Sequence, residues 1–423
     1  MFSGAGGLDL GLEHAGLKIL AQVEMDADCV QTLIRQSKNR PQPTEVIQSR
    51  LEDLDPESLR EGIGFRKGEL PLLAGGPPCQ PFTTSGRRRG LLDARATTLF
   101  PAYLEWVDAF DPRALLIENV DGMLSAALRH RPLEERGRRW PEGAESEERK
   151  GSFLKWFLDE LKSRKYSVSW GIAEAADYGV PQMRQRTVLI AVKSDRPCWL
   201  PAPRFGGAGQ PPFRTLRDAL MNVKELGSVM PLSERKHFVY EHIPPGGNWR
   251  NLPDQLRRET MGGAYEATGG KSGWWRRLAW DRPAPTILGM PDHSSTALIH
   301  PDEIRCLSVN ECAAAQSFPP GIEFAGGFRS QYRQIGNAVP PLLGQALGEQ
   351  LLRFWEYGPE DVEPPVPAWR QSSANRRPGT HGWTLPEGYH LHVRIRPDHV
   401  WATYDVERPS DIGVEREPGT SMG

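Results

Sequence analysis

The stretch PLLAGGPPCQPF, residues 71–82, joins a short apolar run to a stiff turn that holds one cysteine. Residues 71–74 predict a buried strand, two glycines allow a tight turn, and three prolines restrict the loop around Cys79. A cysteine thiol has a pKa of about 8.5, so roughly a few per cent is nucleophilic thiolate at neutral pH. Because α/β enzymes place reactive groups beyond the carboxyl ends of strands, the stretch predicts a catalytic thiol. By itself it fits a structural cysteine in a Pro/Gly turn equally well.

Composition places the chain among ordinary globular proteins. Its 423 residues predict two or three domains, and 38% of them are hydrophobic and 25% charged. No apolar run reaches the roughly 18 residues that a membrane-spanning helix needs. The five cysteines form no CxxC pair, which argues against a zinc site or a disulfide framework and indicates a reducing cytoplasm. A net charge of −2 neither supports nor excludes nucleic-acid binding.

The first 24 residues carry a second candidate site. The sequence FSGAGGLDLGLE, residues 2–13, predicts a small-residue loop that runs into a helix, and Lys18–Val23 predicts a strand that ends at Glu24. A glycine loop at a helix N-terminus with a carboxylate about 20 residues later is typical of a nucleoside site. A plain glycine-rich turn fits as well, because Gly4-x-Gly6-Gly7 is not the dinucleotide fingerprint.

The position of this loop raises a question about the sheet. A doubly wound sheet needs a central first strand before such a loop, but only Met1 and Phe2 precede it here. Either the start of the chain is assigned too far downstream, or the sheet lacks most of its central strand. We expect the first of these.

Residues 1–192 alternate between strand and helix patterns. The predicted elements after Glu24 are a helix at 27–35, a strand at 46–47, helices at 99–110 and 153–161, and strands at 114–117, 167–172 and 187–192. The strand at 114–117 ends in Glu118-Asn119-Val120. This alternation predicts a parallel sheet wrapped by helices.

The composition of the sequence changes at about residue 195. Pro201–Pro212 predicts a linker, and residues 195–290 hold 14 Lys/Arg against 9 Asp/Glu. Aromatic residues alternate with arginines at 244–250 and 269–277, a composition that suits phosphate contacts and base stacking. Solvated loops on a small β domain are the alternative.

The C-terminal third contains two helices and one hairpin pattern. Ser308–Glu311 is a capping box that opens a helix through Gln316, and an apolar helix is predicted at 342–354. The tail from Glu356 predicts a hairpin with strands at 390–395 and 400–406. The sequence indicates no role for this tail.

Five blocks in this order resemble the DNA (cytosine-5)-methyltransferase family of bacterial type, over residues 1–355. The blocks are Phe2–Gly7, Pro78–Gln80, Glu118–Val120, Gln182–Arg186 and Gly336–Pro340. The resemblance implies an α/β fold: a Rossmann-like sheet of S-adenosylmethionine-dependent methyltransferases with a smaller, mainly β or irregular target-recognition domain. It implies a catalytic and cofactor-binding domain at 1–192 plus 333–355, a target-recognition domain at 193–332 and an extension of unknown role at 356–423.

The resemblance also implies roles for particular residues. Cys79 attacks carbon 6 of a cytosine, Glu118 contacts ring N3 and N4, and Arg186, less directly Arg184, binds the base's O2 and orders the loop. Pro78, Gln80 and Asn119 surround the base. The residues implied for binding S-adenosylmethionine are Phe2, Ser3, Gly4, Gly6, Gly7, Glu24, Met25, Gly76, Pro78, Leu99 and Asn337. No metal is implied.

The implied substrate is double-stranded DNA, from which the target base must be flipped out. The basic segment Ser85–Arg95 is expected to close over it and neutralise phosphates, and Arg305–Pro319 to support the packing of the target-recognition domain. The enzyme is expected to be a monomer in the bacterial cytoplasm, associated with the nucleoid when working. It would serve restriction-modification, beside a separate cognate endonuclease, or act as a solitary modification enzyme.

Two departures from the family pattern stand out. Arg50 lies where the family usually offers an aspartate to the adenine amino group, which leaves Glu52 or Asp53 as candidates, and Ala314 and Ala315 replace an arginine and a larger apolar residue. Two other functions remain open: methylation of a transfer-RNA cytosine on the same fold, and a non-catalytic DNA-binding relative. The long Trp/Arg-bearing segment favours duplex DNA, and the intact Cys79, Glu118 and Arg186 favour catalysis.

Overall fold

The computed structural model describes residues 1–38, 40, 44–78, 94–129, 146–149, 151–207, 209–266, 273–358, 389–396 and 399–406. The helices are α1 Gly7–His14, α2 Ala27–Lys38, α3 Pro56–Gly62, α4 Ala94–Phe110, α5 Ser152–Ser163, α6 Leu216–Leu220, α7 Glu234–Glu241, α8 Asp254–Met261, α9 Val309–Ala315, α10 Phe328–Asn337 and α11 Pro341–Tyr357. The strands are β1 Ala21–Glu24, β2 Glu45–Gln48, β3 Leu72–Gly75, β4 Ala114–Asn119, β5 Ser167–Glu174, β6 Gln182–Met183, β7 Gln185–Val192, β8 Ala284–Pro285, β9 Tyr389–Arg396 and β10 His399–Val406. The predicted alternation up to residue 192 is confirmed.

The main sheet has four strands in the order β3-β4-β7-β5. β3 and β4 are parallel, whereas β7 is antiparallel to both of its neighbours. The expectation of a wholly parallel sheet is therefore wrong for β7. The segment between β5 and β7, residues 175–184, contains no crossover helix, and a parallel connection needs a dozen or more residues.

A second sheet pairs β1 with β2 in parallel and forms no ladder with β3. Residues 1–3 lie between the two sheets. The amino group of Met1 donates to Ala74 O at 2.8 Å, and Ser3 N donates to Val23 O at 3.2 Å. Residues 1–3 thus hydrogen-bond to both β1 and β3.

Helices cover both faces of the main sheet. On one face α4 and α5 pack through buried aromatic rings. The ring centroid of Phe100 lies 4.7 Å from that of Phe153 and 5.5 Å from that of Phe157. On the other face α1 and α11 pack with the apolar side chains of β4 and β7. A Cβ atom at Gly11 would lie 2.3 Å from Pro341 O and 2.6 Å from Gln345 N. The absence of a side chain at this position therefore sets the distance between α1 and α11.

Residues 216–338 contribute to a separate apolar cluster that contains short helices and irregular segments. Among the described residues of this region, strand structure is limited to β8, which pairs with β6. The expectation of an irregular unit is confirmed, and that of a mainly β unit is not met. The proposed domain boundaries stay a prediction.

Two local predictions near the C-terminus are confirmed. In the capping box, Glu311 N donates to Ser308 Oγ at 3.2 Å and Ser308 N donates to Glu311 Oε2 at 2.7 Å. β9 and β10 pair antiparallel, as the hairpin pattern indicated.

In the parts of the chain that the structure covers, no helix combines the length and the apolar character needed to cross a membrane.

We predict that Gly11→Ala destabilises the fold by about 2 kcal/mol, because the added methyl group overpacks the contact between α1 and α11. Urea unfolding measures the effect. The matched control is Gly62→Ala at the end of α3, where a Cβ atom meets nothing within 4 Å. The control is expected to be neutral or slightly stabilising, since alanine favours the helix. Equal destabilisation by both substitutions would contradict the packing explanation.

Candidate active site

A buried ion pair lies at the carboxyl end of β4. Every residue of β4 is buried, and Glu118 is 8% exposed. β7 runs antiparallel beside it and brings Arg186 Nε to 2.9 Å from Glu118 Oε1. Burial raises the pKa of Glu118, while the positive charges of Arg186 and Arg184 act in the opposite direction. The site therefore holds a buried carboxyl with a raised pKa beside a guanidinium donor.

The loop that leads to Cys79 is attached to this end of β4. Asn119 Nδ2 donates to Pro77 O at 3.0 Å, and Asn119 Oδ1 accepts from Val120 N at 2.9 Å. A Cβ atom at Gly76 would lie 3.0 Å from Glu118 Oε2, so the loop passes directly over the carboxylate. The chain therefore approaches position 79 beside Glu118.

Several predicted residues lie at the edge of this loop or beyond it. Pro78 is exposed. Cys79 and Gln80 lie outside the described residues, as does most of the basic segment Ser85–Arg95. Leu99 is described and buried on α4.

Arg184 is placed differently from Arg186. It is fully buried, and its guanidinium donates to Ile287 O at 3.0 Å, Gly336 O at 2.7 Å and Ala338 O at 2.9 Å. These carbonyls belong to the segment after β8 and to the end of α10 and the residue that follows it. Arg184 thus connects the strand that bears Arg186 to two segments distant in sequence.

Two glutamines that the sequence analysis did not single out complete this connection. Gln182 Oε1 accepts from Ile287 N at 2.8 Å, and its side-chain amide donates to Gln316 Oε1. Gln316 Nε2 donates to Ala338 O at 2.7 Å. Gln182 opens the block Gln182–Arg186 and Gln316 lies in Arg305–Pro319, two segments that the resemblance had marked, and this was the available signal.

Glu174 is a further residue that sequence reasoning missed. It ends β5 opposite Gln185, is 4% exposed, and accepts from Arg184 N at 2.5 Å. Burial raises the pKa of Glu174 to about 7. A lone acidic residue at a strand end carries no sequence signal that separates it from a surface residue.

The N-terminal loop is organised around Glu24. Its Oε2 accepts from Gly4 N and its Oε1 from Asp26 N, both at 2.8 Å. Phe2 has φ +55°, Gly4 +53° and Gly6 +76°, so the backbone leaves the regular strand conformation as it enters α1. A Cβ atom at Gly7 would lie 2.2 Å from Val339 O, which explains the close approach of α1 to the chain that follows α10.

The other residues implied for the cofactor lie around this loop or at helix ends. Met25 is 62% exposed beside Glu24, Ser3 is half-buried, and Asn337 is exposed at the end of α10. Arg50 lies 2.5 Å from Glu52 Oε1 and 4.0 Å from Asp53 Oδ2. The two carboxylates considered for the adenine contact are therefore paired with the arginine that replaces the family's aspartate.

The Trp/Arg segments predicted to contact DNA divide into two groups. Trp275 is buried against Tyr240, and Arg277 donates to Ile243 O at 3.1 Å and Asp302 O at 2.9 Å. These two residues hold the apolar cluster together. By contrast, Arg250 is exposed and stacks on Trp249 at 4.9 Å from the ring centroid.

Comparison with known proteins identifies the family. Residues 1–135 and 143–353 match the family of C-5 cytosine-specific DNA methylases. The type II methyltransferase M.Sau96I of Staphylococcus aureus is 35% identical over 353 residues, covering 84% of this chain and 75% of the relative. M.Eco47II of Escherichia coli is 34% identical over 360 residues, covering 84% and 78%. A solved structure described as a DNA modification methyltransferase encoded within a prophage (E. coli) is 21% identical, with a TM-score of 0.53, covering 84% and 98%.

The fold and the site define a methyltransferase with an α/β sheet. The chain belongs to the C-5 cytosine-specific DNA methylase family and is a DNA (cytosine-5-)-methyltransferase. Its methyl donor is S-adenosylmethionine.

The N-terminal loop fits that cofactor. A Cβ atom at Gly4 would meet nothing within 4 Å, so there is open space where the loop turns, and the exposed Met25 presents an apolar surface beside the Glu24 carboxylate. An adenine ring, a ribose and a charged amino-acid group need an apolar surface, an acceptor and main-chain donors of this kind.

We predict that Glu174→Gln changes the pH dependence of stability. The folded-state pKa of about 7 exceeds the ordinary value of 4.5, so the folded chain binds the proton more tightly than the unfolded chain. This contribution is complete below pH 4.5 and is lost as the pH rises to 7. The variant lacks the titration, so its stability relative to the parent should rise by about 3 kcal/mol between pH 4.5 and 8.

Urea unfolding at several pH values measures this difference. The control is Glu57→Gln, which removes an exposed carboxyl on α3 and should leave unfolding unchanged at each pH. A constant difference between Glu174→Gln and the parent across the pH range would show that Glu174 does not titrate in this window.

Proposed function

We propose that this enzyme methylates carbon 5 of a cytosine flipped out of duplex DNA at a specific sequence, through a covalent bond between Cys79 and carbon 6. The observation that carries the proposal is the Glu118–Arg186 pair, 2.9 Å between Oε1 and Nε, directly beneath the loop that leads to Cys79. Asn119 holds that loop at Pro77 O. The proposal brings a thiol, a carboxyl and a guanidinium together at one site.

The chemistry requires this set of groups. Carbon 5 of cytosine is a weak nucleophile, and attack of the Cys79 thiolate on carbon 6 forms the Sγ–C6 bond and pushes an electron pair towards carbon 5 and N3. Glu118, which burial biases towards the neutral form, donates a proton or a hydrogen bond to N3 and offsets the developing negative charge. Arg186 is proposed to bind the O2 atom of the base beside it.

The remaining steps restore the aromatic ring. When bound, S-adenosylmethionine would supply a methyl group from its positively charged sulfur to the electron-rich carbon 5 and leave as neutral S-adenosylhomocysteine. A proton donated to N3 returns to Glu118 at this point. Loss of the carbon 5 proton to a water-derived base then expels Cys79 as thiolate, so the sulfur–carbon bond breaks and the enzyme is regenerated. Arg184 is proposed to act indirectly, by fixing β7 and thereby Arg186.

A base stacked in duplex DNA cannot reach Cys79, so the proposal includes extrusion of the nucleotide from the duplex. This extrusion costs roughly a few kcal/mol. Residues 193–332 are proposed to read the sequence. Exposed arginines support this assignment: Arg250 stacks on Trp249, and Arg258 lies 5.4 Å from the ring centroid of Tyr265. Arginine and aromatic side chains of this kind contact phosphates and bases.

The relatives named type II methyltransferases support a role in restriction-modification. We propose that the enzyme acts as a monomer on chromosomal DNA in the bacterial cytoplasm. A cognate endonuclease, where one exists, would act on the same sequence as a separate protein.

We predict that Cys79→Ala lowers methyl transfer by about 10³-fold or more and leaves DNA affinity intact, because only the covalent step is lost. Transfer of labelled methyl groups and gel-shift titration measure the two effects. The matched control is Cys198→Ala, a buried cysteine after β7, which should retain activity once it folds. A duplex with fluorine on carbon 5 lacks the proton that must leave, so it should form a denaturant-stable adduct with the parent and none with Cys79→Ala.

Glu118→Gln is expected to reduce kcat by about 10²–10⁴-fold with little change in DNA affinity, since the amide cannot transfer a proton to N3. Single-turnover methylation measures the effect. A Glu118→Gln variant that retains more than about a tenth of the parent rate would contradict the general-acid role.

The substrate itself can be tested in cells. Bisulfite sequencing of DNA from cells that express the chain should reveal one methylated cytosine context. Unmethylated DNA together with methylated transfer RNA would favour the transfer-RNA activity instead. Binding to DNA without transfer to either substrate would favour the non-catalytic relative.

A further inference from the structure

The antiparallel pairing of β5 with β7 ends irregularly. The last pair of the two strands is Glu174 with Gln185. One further bond continues the pattern, from Ala175 N to Arg184 O at 2.9 Å. A hydrogen-bonded antiparallel pair exchanges two bonds, so Arg184 N would ordinarily donate back to Ala175 O. Instead the chain leaves the sheet in a helical turn at Ala175–Tyr178, and that carbonyl accepts a hydrogen bond from the end of the turn.

The Glu174 carboxyl group supplies the missing acceptor. Its Oε1 accepts from Arg184 N at 2.5 Å, and the residue is 4% exposed. A buried main-chain donor without an acceptor costs its full desolvation free energy. An acidic side chain at the end of β5 therefore satisfies a donor that the ladder between the two strands does not.

Arg184 is consequently held by its main chain as well as by its side chain. Glu174 binds its N–H, Ala175 N binds its carbonyl, and its guanidinium donates to the three carbonyls described above. Together these contacts set the direction in which the chain enters β7. Arg186 lies two residues further along and directs its Nε to Glu118 Oε1. The placement of that guanidinium therefore depends on the backbone fixed at Arg184.

The charge of Arg186 acts on both buried carboxyl groups. Burial raises the pKa of Glu174 to about 7 and also raises the pKa of Glu118, while the positive charge of Arg186 acts in the opposite direction in each case. The guanidinium itself is paired with Glu118, whereas Glu174 binds the main chain. One carboxyl thus engages the side chain of Arg186, and the other engages the backbone that carries it.

We propose, given the proposed role of the Glu118–Arg186 pair, that Glu174 is a positioning residue for methyl transfer: its carboxyl fixes the main chain at Arg184 and so holds Arg186 against Glu118. Glu174 acts through these residues and not by touching the base. A small displacement of Arg186 weakens contacts that matter most in the transition state. Loss of the acceptor should therefore lower kcat more than it raises the KM for DNA.

The test compares Glu174→Gln with Glu174→Met, two side chains of nearly equal size. Glutamine keeps an oxygen that can accept from Arg184 N, whereas methionine leaves this buried donor unpaired. Steady-state methyl transfer to DNA at pH 8 measures kcat and KM. We expect Glu174→Met to lower kcat by about 10- to 100-fold with the KM for DNA within about threefold of the parent. Glu174→Gln should retain kcat within about threefold.

Glu174→Asp provides a second test that buries no new apolar group. It keeps a carboxyl but withdraws it by one methylene from Arg184 N, so kcat should fall by about fivefold or more. The control for lost stability is Phe110→Leu, a buried residue at the end of α4 that precedes β4. This control should lower the melting temperature and leave kcat within about twofold of the parent.

The route through Arg186 is tested in an Arg186→Lys background. Lysine lacks the planar fork of arginine, so the precision that Glu174 provides is already lost there. Glu174→Met should then cost less than about threefold in kcat. An undiminished cost in this background would overturn the proposal.

Two further results separate failure of the proposal from failure of the proposed function. Equal kcat for the Glu174→Gln and Glu174→Met variants would overturn the positioning role, even where Arg186→Lys and Glu118→Gln lose activity as the proposed function requires. Parent-like activity of both Arg186→Lys and Glu118→Gln would instead contradict the proposed function, and with it the route from Glu174 to the base.

Discussion

The buried pair between Glu118 and Arg186 is the constraint on which the site depends. Two charged groups in an interior position are stable only when each is paired and hydrogen-bonded, so the end of β4 must lie beside the start of β7. That register places Asn119 next to Pro77 and brings the loop before Cys79 over the carboxylate. The antiparallel direction of β7 brings Arg186 to the edge of the sheet at which the loop after β3 begins.

A second constraint joins the sheet to the region around residues 284–338. Arg184 directly precedes β7, two residues before Arg186, and its side chain is fully buried. There it binds three main-chain carbonyls, and Gln182 and Gln316 extend the same network. Buried polar networks hold one arrangement of their segments because any shift leaves groups unpaired. Movement of the region that follows β8 would consequently be transmitted to Arg186.

The cofactor side of the fold combines a few main-chain hydrogen bonds with a shared apolar core. Residues 1–3 hydrogen-bond to both sheets, and the loop conformation rests on Glu24, which receives main-chain donors from Gly4 and Asp26. Val23 of β1 packs in the same apolar core as Leu73 of β3. The aromatic packing of α4 against α5, by contrast, gives the opposite face of the main sheet a continuous core.

By itself the sequence determined the order of strands and helices up to residue 192 except α3 and β6, the capping box at Ser308 and the blocks that hold Glu118 and Arg186. Those features follow from local periodicity and short motifs, which depend on neighbouring residues only. The tertiary structure decided the direction of β7, the burial of Trp275 and the use of Arg184 as a clamp on main-chain carbonyls. Each of these depends on contacts between segments distant in sequence, and the residue types alone, an arginine or a tryptophan, suit a surface and a core equally well.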